Sequence, residues 1–348
     1  MKKILRTCLG TLLCAAMAAG LSYTSPDISR AAFAEPAAPT ATAAAAVSST
    51  KTLTGLTNVR KRLTISSDTI IPKGAVLYVR KGGALYINKG AQLIVDGKIK
   101  CADGGSIYAR GDIVSCSGSS MSISGKIKLM SGSVLSLGGK LRLNEKGIVK
   151  GSGTLEVLDK FSDITCLGTV SAKIKAPAPA AENGVTTVGG VILVNKQYDL
   201  PEDYGDGLTR DTYAAFLKMK EDSGYDMSIV SGFRSYEKQK GVFDYWASID
   251  GYDVARTYSA LPGQSEHQTG LAMDISSLSQ SYENTPEGQW LAQNCWKYGF
   301  IIRYPKGKSD ITGYIYEPWH VRYLGKSMAK LVKDSGLTLE EFLGVYNG

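Results

Sequence analysis

Histidine is scarce in this sequence of 348 residues, which contains two, His267 and His320. The HExxH motif of many zinc enzymes is absent, and the six cysteines include no CxxC pair of the kind that holds structural zinc. Hydrophobic residues make up 43% of the chain and charged residues 21%, which excludes a disordered chain and a polytopic membrane protein. The length favours two domains.

The N-terminus has the pattern of a secretory signal peptide. Lys2, Lys3 and Arg6 precede a short apolar run, and Ala32-Phe33-Ala34 matches an A-x-A cleavage site. We expect a signal peptide over residues 1–34, an exported, extracellular or wall-associated protein, and no transmembrane span after cleavage; an uncleaved anchor is the alternative. Export permits disulfides, yet isolated buried thiols are an equal expectation for the cysteines after the signal.

Charge divides the chain into two unlike parts. Residues 51–175 carry 20 basic and 8 acidic side chains, a balance of +12, whereas residues 176–348 carry 16 basic and 22 acidic, a balance of −6. Two segments rich in alanine and proline, residues 35–50 and 176–187, are predicted to be linkers. They flank the basic part.

Glycine recurs every seven residues from Gly83 to Gly139. A glycine at every seventh position costs a helix about 1 kcal/mol each, and the apolar residues between the glycines alternate with period two, as in strands. Units of one strand and one turn must stack to cover their apolar faces. We therefore predict a β-solenoid over residues 51–175, a parallel β-helix with two or three segments per coil, with an antiparallel meander as the alternative.

Residues 188–348 have the mixed pattern of an α+β domain. Helices are predicted at 209–223, ending at Gly224, and at 235–247, following a strand at 227–230. A third helix begins at Thr285-Pro286 and ends at Gly299, and a capping box marks a last short helix at Thr338. Strands are predicted at 300–304 and 314–323.

Each histidine lies in a dense polar and aromatic cluster, over residues 265–274 and 317–323. A catalytic zinc requires three protein ligands and an open position for water. His267, Asp274 and His320 supply such a set, and Glu317 remains as a general base. The competing interpretation is a pair of hydrogen-bonded structural histidines, because H-x6-D is a weak pattern by itself.

These two clusters resemble the metal motifs of the VanY-type zinc carboxypeptidases, a family of D-alanyl-D-alanine and related peptidoglycan carboxypeptidases. The pattern S-x-H-x-x-G-x-A-x-D followed by E-P-W-H is matched residue for residue. The resemblance continues through Ser231-Gly232-Phe233-Arg234-Ser235 to Arg322-Tyr323-Leu324-Gly325. It implies an α+β zinc peptidase fold.

The resemblance also implies roles for individual residues. His267, Asp274 and His320 would bind zinc, and Glu317 would be the catalytic base. Arg234 would stabilise the oxyanion, Gln239 and Ser265 would hold the terminal peptide unit of the substrate, and Trp319 would line the pocket. The competing assignments are an ion pair of Arg234 with Glu237 or Glu266, a solvated helix position for Gln239, and a core position for Trp319.

The sequence thus predicts an exported multi-domain enzyme in which a basic solenoid precedes a zinc D-alanyl-D-alanine carboxypeptidase that trims peptidoglycan stem peptides. One alternative is an L,D-carboxypeptidase acting on tetrapeptide stems, and another is an inactive wall-binding protein. The solenoid is expected to bind anionic wall polymers rather than nucleic acid. Its lysines could instead protect strand edges, or the solenoid could be a rigid spacer.

Overall fold

The computed structural model describes residues 50–346. The expected signal peptide, and all of the expected linker 35–50 except Thr50, lie outside these residues. A β-solenoid occupies residues 51–175 and an α+β unit follows it, so the predicted multi-domain fold is confirmed.

The solenoid is built from short strands, most of them four residues long, separated by turns. Its strands are β1 (Lys51–Thr52), β2 (Leu56–Val59), β3 (Arg62–Ile65), β4 (Thr69–Ile71), β5 (Val76–Val79), β6 (Ala84–Ile87), β7 (Gln92–Val95), β8 (Lys98–Cys101), β9 (Ser106–Ala109), β10 (Asp112–Ser115), β11 (Ser120–Ile123), β12 (Lys126–Leu129), β13 (Val134–Leu137), β14 (Lys140–Leu143), β15 (Ile148–Gly151), β16 (Thr154–Val157), β17 (Ile164–Cys166), β18 (Thr169–Val170) and β19 (Lys173–Lys175).

Every third strand pairs in parallel, which produces three long sheets. Sheet I has the order β1-β4-β7-β10-β13-β16-β19, sheet II the order β2-β5-β8-β11-β14-β17 and sheet III the order β3-β6-β9-β12-β15-β18. A coil therefore contains three strands, one from each sheet, and the prediction of a parallel β-helix is confirmed. The antiparallel meander is wrong.

The seven-residue glycine period is the average of two different turns. Strands begin at residues 92, 98, 106, 112, 120 and 126, so steps of six and eight residues alternate. The shorter step leaves a turn of two residues and the longer step a turn of four. The two turn types occur in alternation along the chain.

Glycine has a different task in each turn type. In the two-residue turns a Cβ at Gly111 would lie 2.0 Å from the carbonyl oxygen of Ala91 in the previous coil, and a Cβ at Gly125 would lie 2.3 Å from that of Gly105. In the four-residue turns Gly118 and Gly132 have φ of 85° and 80°, a region that favours glycine. The two-residue turns need glycine because neighbouring coils stack closely there, and the four-residue turns need it because their backbone has a positive φ.

The interior of the solenoid is a stack of apolar rows. Leu77, Ile99, Met121 and Leu141 are successive partners in sheet II, and each is at most 1% exposed. Because side chains alternate across a strand, the residues on either side of each one point outward. The outer surface is thereby free to carry the charged residues of this segment.

The α+β unit contains helices, most of which have a side-chain cap at the N-terminus. They are α1 (Arg210–Ser223), α2 (Tyr236–Asp250), α3 (Tyr252–Ala255), α4 (Pro286–Asn294), α5 (Ser309–Thr312), α6 (Lys326–Ser335) and α7 (Leu339–Leu343), with 3-10 turns at Glu266–Thr269, Gln280–Asn284 and Cys295–Tyr298. A further 3-10 turn, Phe161–Asp163, precedes β17 in the solenoid. Thr209, Ser235, Thr285 and Thr338 cap α1, α2, α4 and α7, and the capping box at Thr338 is confirmed.

A four-stranded sheet has the order β23-β24-β26-β25, where β23 is Ile229–Ser231, β24 is Ala272–Ile275, β25 is Phe300–Ile302 and β26 is His320–Tyr323. The predicted strand 314–323 is too long, because residues 314–319 are not in a strand. Pro318 has no backbone N–H for a ladder, and Tyr314 and Trp319 pack inward from an irregular segment.

Residues 176–187, predicted to be a linker, include part of a small antiparallel sheet. Its strands are β20 (Ala180–Glu182), β21 (Val185–Val188) and β22 (Val191–Ile192). Asn183 and Gly184 join the first two strands with φ of 49° and 75°, the conformation of the Asn-Gly hairpin turn. The Asn-Gly dipeptide predicts this hairpin, whereas the alanine and proline content of the segment had favoured a linker.

The last coil of the solenoid packs against α6 and α7 of the α+β unit. The buried residues Met328, Leu331 and Phe342 belong to the same apolar cluster as the solenoid interior. The ring of Phe161 lies 5.6 Å from that of Phe342, and the Cys166 amide donates to Oγ of Ser327 over 3.0 Å. The two units thus share one core.

The expectations of buried thiols and of no transmembrane span can be compared with the structure of residues 50–346. Cys101, Cys166 and Cys295 are buried free thiols, and burial raises the pKa of Cys101 to about 11 and that of Cys295 to about 12. Over the same residues, every helix is too short or too polar to cross a bilayer.

Candidate metal centre and active site

His267 is held by a tight 3-10 turn, Glu266–Thr269, that ends at Gly270. Gly270 has φ of 67°, and a Cβ there would lie 2.1 Å from the carbonyl oxygen of Gly207. This explains the glycine of the S-x-H-x-x-G motif. The His267 ring is oriented by Nδ1, which lies 2.8 Å from the carbonyl oxygen of Gly232. Nε2 is therefore the nitrogen directed into the site.

Strand pairing brings the other two candidate ligands together. Asp274 in β24 is the register partner of His320 in β26, and both side chains are buried. Nδ1 of His320 lies 3.1 Å from Oδ1 of Asp274, and Nε2 of His267 lies 3.3 Å from Oδ2. The ligand atoms of all three residues lie within 4.8 Å of one another.

This donor set fits a zinc ion. Ligand atoms around a tetrahedral zinc lie about 3.4 Å apart, close to the two separations between imidazole and carboxylate. Oδ1 of Asp274 is buried and accepts no hydrogen bond in the protein, although Nδ1 of His320 is near. A buried carboxylate oxygen without a donor is costly unless a cation binds it.

The electrostatics also favour a cation. Burial would raise the pKa of Asp274, but the two facing imidazoles hold it below its usual range. Burial opposes protonation of His320, yet the neighbouring carboxylates of Asp274 and Glu266 raise its pKa to about 9. Burial lowers the pKa of His267, which favours the neutral form that binds metals. Asp274 is therefore ionised beside a neutral His267, which are the forms in which both residues bind a metal.

Glu317 lies beside the three candidate ligands, with Oε2 3.6 Å from Nδ1 of His320. The Glu317 amide donates to the carbonyl oxygen of Tyr304 at the end of β25, and its carbonyl oxygen accepts from the His320 amide. Burial raises the pKa of Glu317 to about 7, and Asp274 adds to the rise while His320 and Arg234 oppose it. A carboxylate with this pKa suits a general base.

Arg234 approaches the site from the loop before α2, with Nη2 3.9 Å from Oδ2 of Asp274. Its guanidinium donates to Oε1 of Gln239 over 2.7 Å and to Oγ of Ser231 over 2.8 Å. The competing ion pairs with Glu237 or Glu266 do not form in the described structure. Its position beside Asp274 and Glu317 leaves it able to contact an anionic group of a substrate.

The three predicted substrate-binding residues have different surroundings. Gln239 is fully buried and its amide is used within the protein, by Arg234 and by the carbonyl oxygen of Ala260 at 2.6 Å. Ser265 is buried beside His267, and its side chain does not cap the 3-10 turn that follows. Trp319 is 8% exposed and packs in an apolar cluster of the α+β unit that is separate from the core shared with the solenoid. The structure thus engages Gln239 within the protein, and substrate contacts by Ser265 and Trp319 stay predictions.

A buried ion network lies behind the site, and the sequence did not reveal it. Oε1 of Glu266 accepts from Nε of Arg303 at 2.8 Å and from Nη1 of Arg322 at 2.7 Å. Arg303 also binds Glu340 of α7, and Oε2 of Glu266 lies 3.8 Å from Nε2 of His320. The available signal was weak: each arginine stands at or beside the end of an apolar strand.

Comparison with known proteins gives the chain its family. Residues 207–326 match VanY, D-alanyl-D-alanine carboxypeptidase. The chain is 47% identical over 178 residues to the putative carboxypeptidase YodJ of Bacillus subtilis, covering 43% of this chain and 65% of that protein, a little under two thirds of its length. It is 35% identical over 188 residues to a D-alanyl-D-alanine carboxypeptidase of Enterococcus faecalis, covering 48% of this chain and 70% of that one.

A solved structure is similar over the same part of the chain. The crystal structure of an L,D-carboxypeptidase, DacB, from Streptococcus pneumoniae is 38% identical, with a TM-score of 0.45, and covers 49% of this chain and 97% of that one. The similarities leave the solenoid aside, since each spans half of the chain or less. The match of residues 207–326, together with the Enterococcus faecalis relative, shows that the chain belongs to the VanY family of D-alanyl-D-alanine carboxypeptidases.

Proposed function

We propose that this protein is a zinc-dependent D-alanyl-D-alanine carboxypeptidase that removes the terminal D-alanine from peptidoglycan stem peptides. The observation that carries the proposal is the convergence of His267, Asp274 and His320, whose ligand atoms lie within 4.8 Å of one another, with Glu317 beside them. Two imidazoles and one carboxylate form a frequent ligand set of catalytic zinc.

Zinc held by Nε2 of His267, Nδ1 of His320 and Asp274 would supply a Lewis acid and lower the pKa of a water molecule to about 7. Glu317 is positioned to take a proton from the attacking water and return it to the departing amine. Arg234 presents donors to the developing oxyanion or to the chain-end carboxylate. The hydroxyl of Ser265 would bind the terminal peptide unit.

A two-substrate digest with a metal assay tests this function. The purified full chain would be incubated with pentapeptide and tetrapeptide stems, and the products weighed by mass spectrometry. Loss of one alanine from the pentapeptide supports the D,D activity. Cleavage of the tetrapeptide alone would establish the L,D-carboxypeptidase alternative, which shares the same motifs.

Variants separate the roles of the site residues. Glu317→Gln is expected to retain zinc and to lose turnover by orders of magnitude, because the base is lost while the ligands remain. Asp274→Asn is expected to lose both zinc and turnover. Glu221→Gln, at an exposed position on α1, is the matched control. Full turnover by Glu317→Gln would refute the assigned base.

An inactive wall-binding protein is the remaining alternative. The intact positions His267, Asp274, His320 and Glu317 support an active enzyme instead. Absence of cleavage of either stem by zinc-loaded protein would favour the binding role. We propose export to the cell envelope, where the substrate lies, on the basis of the predicted signal peptide.

A further inference from the structure

The outer surfaces of sheets II and III are basic without compensation. Their strands carry eight cations and no carboxylate: Arg62, Lys98, Lys100, Lys126, Lys128, Lys140, Arg142 and Lys150. Sheet I differs, since its strands include Asp112 and Glu156. The positive charge of the solenoid is therefore concentrated on two of its three faces. We call these two faces together the basic face.

The cations of the basic face have no ionic partners within residues 50–346. None of the eight lies within 4.0 Å of a carboxylate there, whereas Lys218, Lys240, Lys306 and Lys308 of the peptidase unit each form an ion pair. Lys175 and Lys146 do so elsewhere on the solenoid. Lys51, Lys73, Lys89 and Lys173, on sheet I and its bordering turns, also form no ion pair in the described part of the chain, so the distinguishing property of the basic face is that its strands carry eight cations and no carboxylate.

Strand pairing places some of these like charges side by side. Lys128 and Lys150 are direct register partners in adjacent coils, and coils are about 4.8 Å apart. Like charges directly opposite one another destabilise a sheet. A bound anion between the two ammonium groups would remove that cost. A role of the lysines in solubility alone would not explain why two of them lie directly opposite each other.

The arginines of this face are held in fixed positions. Arg62 lies over the ring of Tyr86 at 4.4 Å, and that ring stacks on Tyr108 at 4.9 Å. Arg80, in the turn after β5, lies over Tyr78 at 3.7 Å. Such stacking fixes the guanidinium planes before any ligand arrives.

Hydrogen bonds fix these two arginines, and Arg142 as well, through one nitrogen. Nε of Arg80 donates to Oδ1 of Asn58 over 2.7 Å, and Nε of Arg142 donates to Oδ1 of Asn144 over 3.0 Å. Nε of Arg62 donates to Oγ1 of Thr64. The two terminal nitrogens of each guanidinium make no hydrogen bond within residues 50–346, which leaves them available to bind phosphate through two parallel hydrogen bonds.

We infer that the basic face binds a linear phosphodiester polymer of the cell envelope along the axis of the solenoid. Seven of the eight cations lie in three successive coils, from Lys98 to Lys150, which suits an extended chain that carries repeated charges. A polyol phosphate offers permanently ionised groups with free oxygens for both arginine and lysine. This inference goes beyond the proposed carboxypeptidase function and is independent of the peptidase chemistry.

Binding to purified cell walls tests the inference, by sedimentation of the full chain with walls before and after hydrofluoric acid removes the phosphodiester polymers. The test variant is K98Q/K100Q/K128Q/K150Q. The control variant is K51Q/K73Q/K89Q/K173Q, with the same charge change on sheet I and its bordering turns. Because sedimentation needs no turnover, the result stands even if the carboxypeptidase assay fails.

We expect the test variant to bind intact walls about tenfold more weakly or worse, with a shallower salt dependence, and the control variant to bind within about twofold of the parent. Extracted walls should bind all three proteins weakly. R62Q/R142Q, a second variant of the same face, should also lose affinity. Unchanged thermal unfolding would show that these exposed substitutions leave the fold intact.

Three results would overturn the inference. Equal losses in the test and control variants would indicate a general effect of net charge. Undiminished binding to extracted walls would place the ligand in the glycan or peptide. Equal affinity for inorganic polyphosphate and for polygalacturonate, a carboxylate polymer, would remove the preference for phosphate.

Discussion

Arg303 donates from Nε to Oε1 of Glu266 over 2.8 Å, and both side chains are fully buried. The same guanidinium binds Glu340 in α7, which packs against the last coil of the solenoid, and Oε2 of Glu266 lies 3.8 Å from the ring of His320. One buried arginine therefore connects the packing of the two units with the surroundings of a candidate metal ligand.

Glu266→Gln is expected to lower the free energy of unfolding by about 3 kcal/mol or more, because it leaves Arg303 and Arg322 with less compensating charge in the core. Urea unfolding measures the loss. The control is Glu221→Gln, whose ion pair with Lys218 is exposed and should contribute less than about 1 kcal/mol. A loss for Glu266→Gln no greater than that of the control would show that the network is dispensable.

Stability is expected to decline in acid through the same carboxylate. Burial would raise the pKa of Glu266, but Arg303 and Arg322 hold it well below its usual range. Its contribution is therefore complete above the unfolded pKa of about 4.3 and is lost as pH falls toward the folded pKa. Between pH 4 and pH 3, urea unfolding of Glu266→Gln should show a slope shallower by up to about 1.4 kcal/mol per pH unit. Identical slopes would contradict the assignment.

Gln239→Leu is expected to reduce kcat/KM about tenfold or more by releasing Arg234, which it holds at 2.7 Å. Gln239 then acts as a positioning residue, so its effect should largely disappear in an Arg234→Lys background. Steady-state kinetics of the two single variants and the double variant measure this coupling. Additive losses would instead support direct contact of Gln239 with substrate, as the family resemblance implies.

The two glycine types of the solenoid should differ in tolerance. Gly111→Ala is expected to destabilise the protein by several kcal/mol, because its Cβ would lie 2.0 Å from the backbone oxygen of Ala91. Gly118→Ala meets nothing within 4 Å and should cost about 1–2 kcal/mol for its φ of 85°. Thermal and urea unfolding of the pair would reveal the difference. Equal effects would mean that the coils can separate to admit a methyl group.

Several features followed from local sequence because their causes are local. The glycine spacing predicted the parallel solenoid, since each turn must either adopt a positive φ or allow the backbone of a neighbouring coil to approach closely. The capping residues Thr285 and Thr338 marked helix starts correctly, because a cap needs contacts within one turn. The short motifs around His267 and His320 predicted the candidate metal ligands, whose convergence the strand register then produced.

Other features depended on contacts between distant parts of the chain. The strand predicted at 314–323 is short because Tyr314 and Trp319 pack inward from an irregular segment. The amide of Gln239 is used by Arg234 and by Ala260, a carbonyl that sequence proximity did not indicate. Glu266, Arg303 and Glu340 form one buried network although 37 residues separate each neighbouring pair.

The sequence by itself determined the repeat, the strand period, the helix caps and the residue types of the candidate metal site, all of which are encoded within short segments. Tertiary structure decided which of those residues touch, how Arg234 and His320 are oriented, and that α6 and α7 complete the solenoid core. The physical reason is that burial and ionic pairing depend on what packs opposite a residue. No local pattern specifies that neighbour.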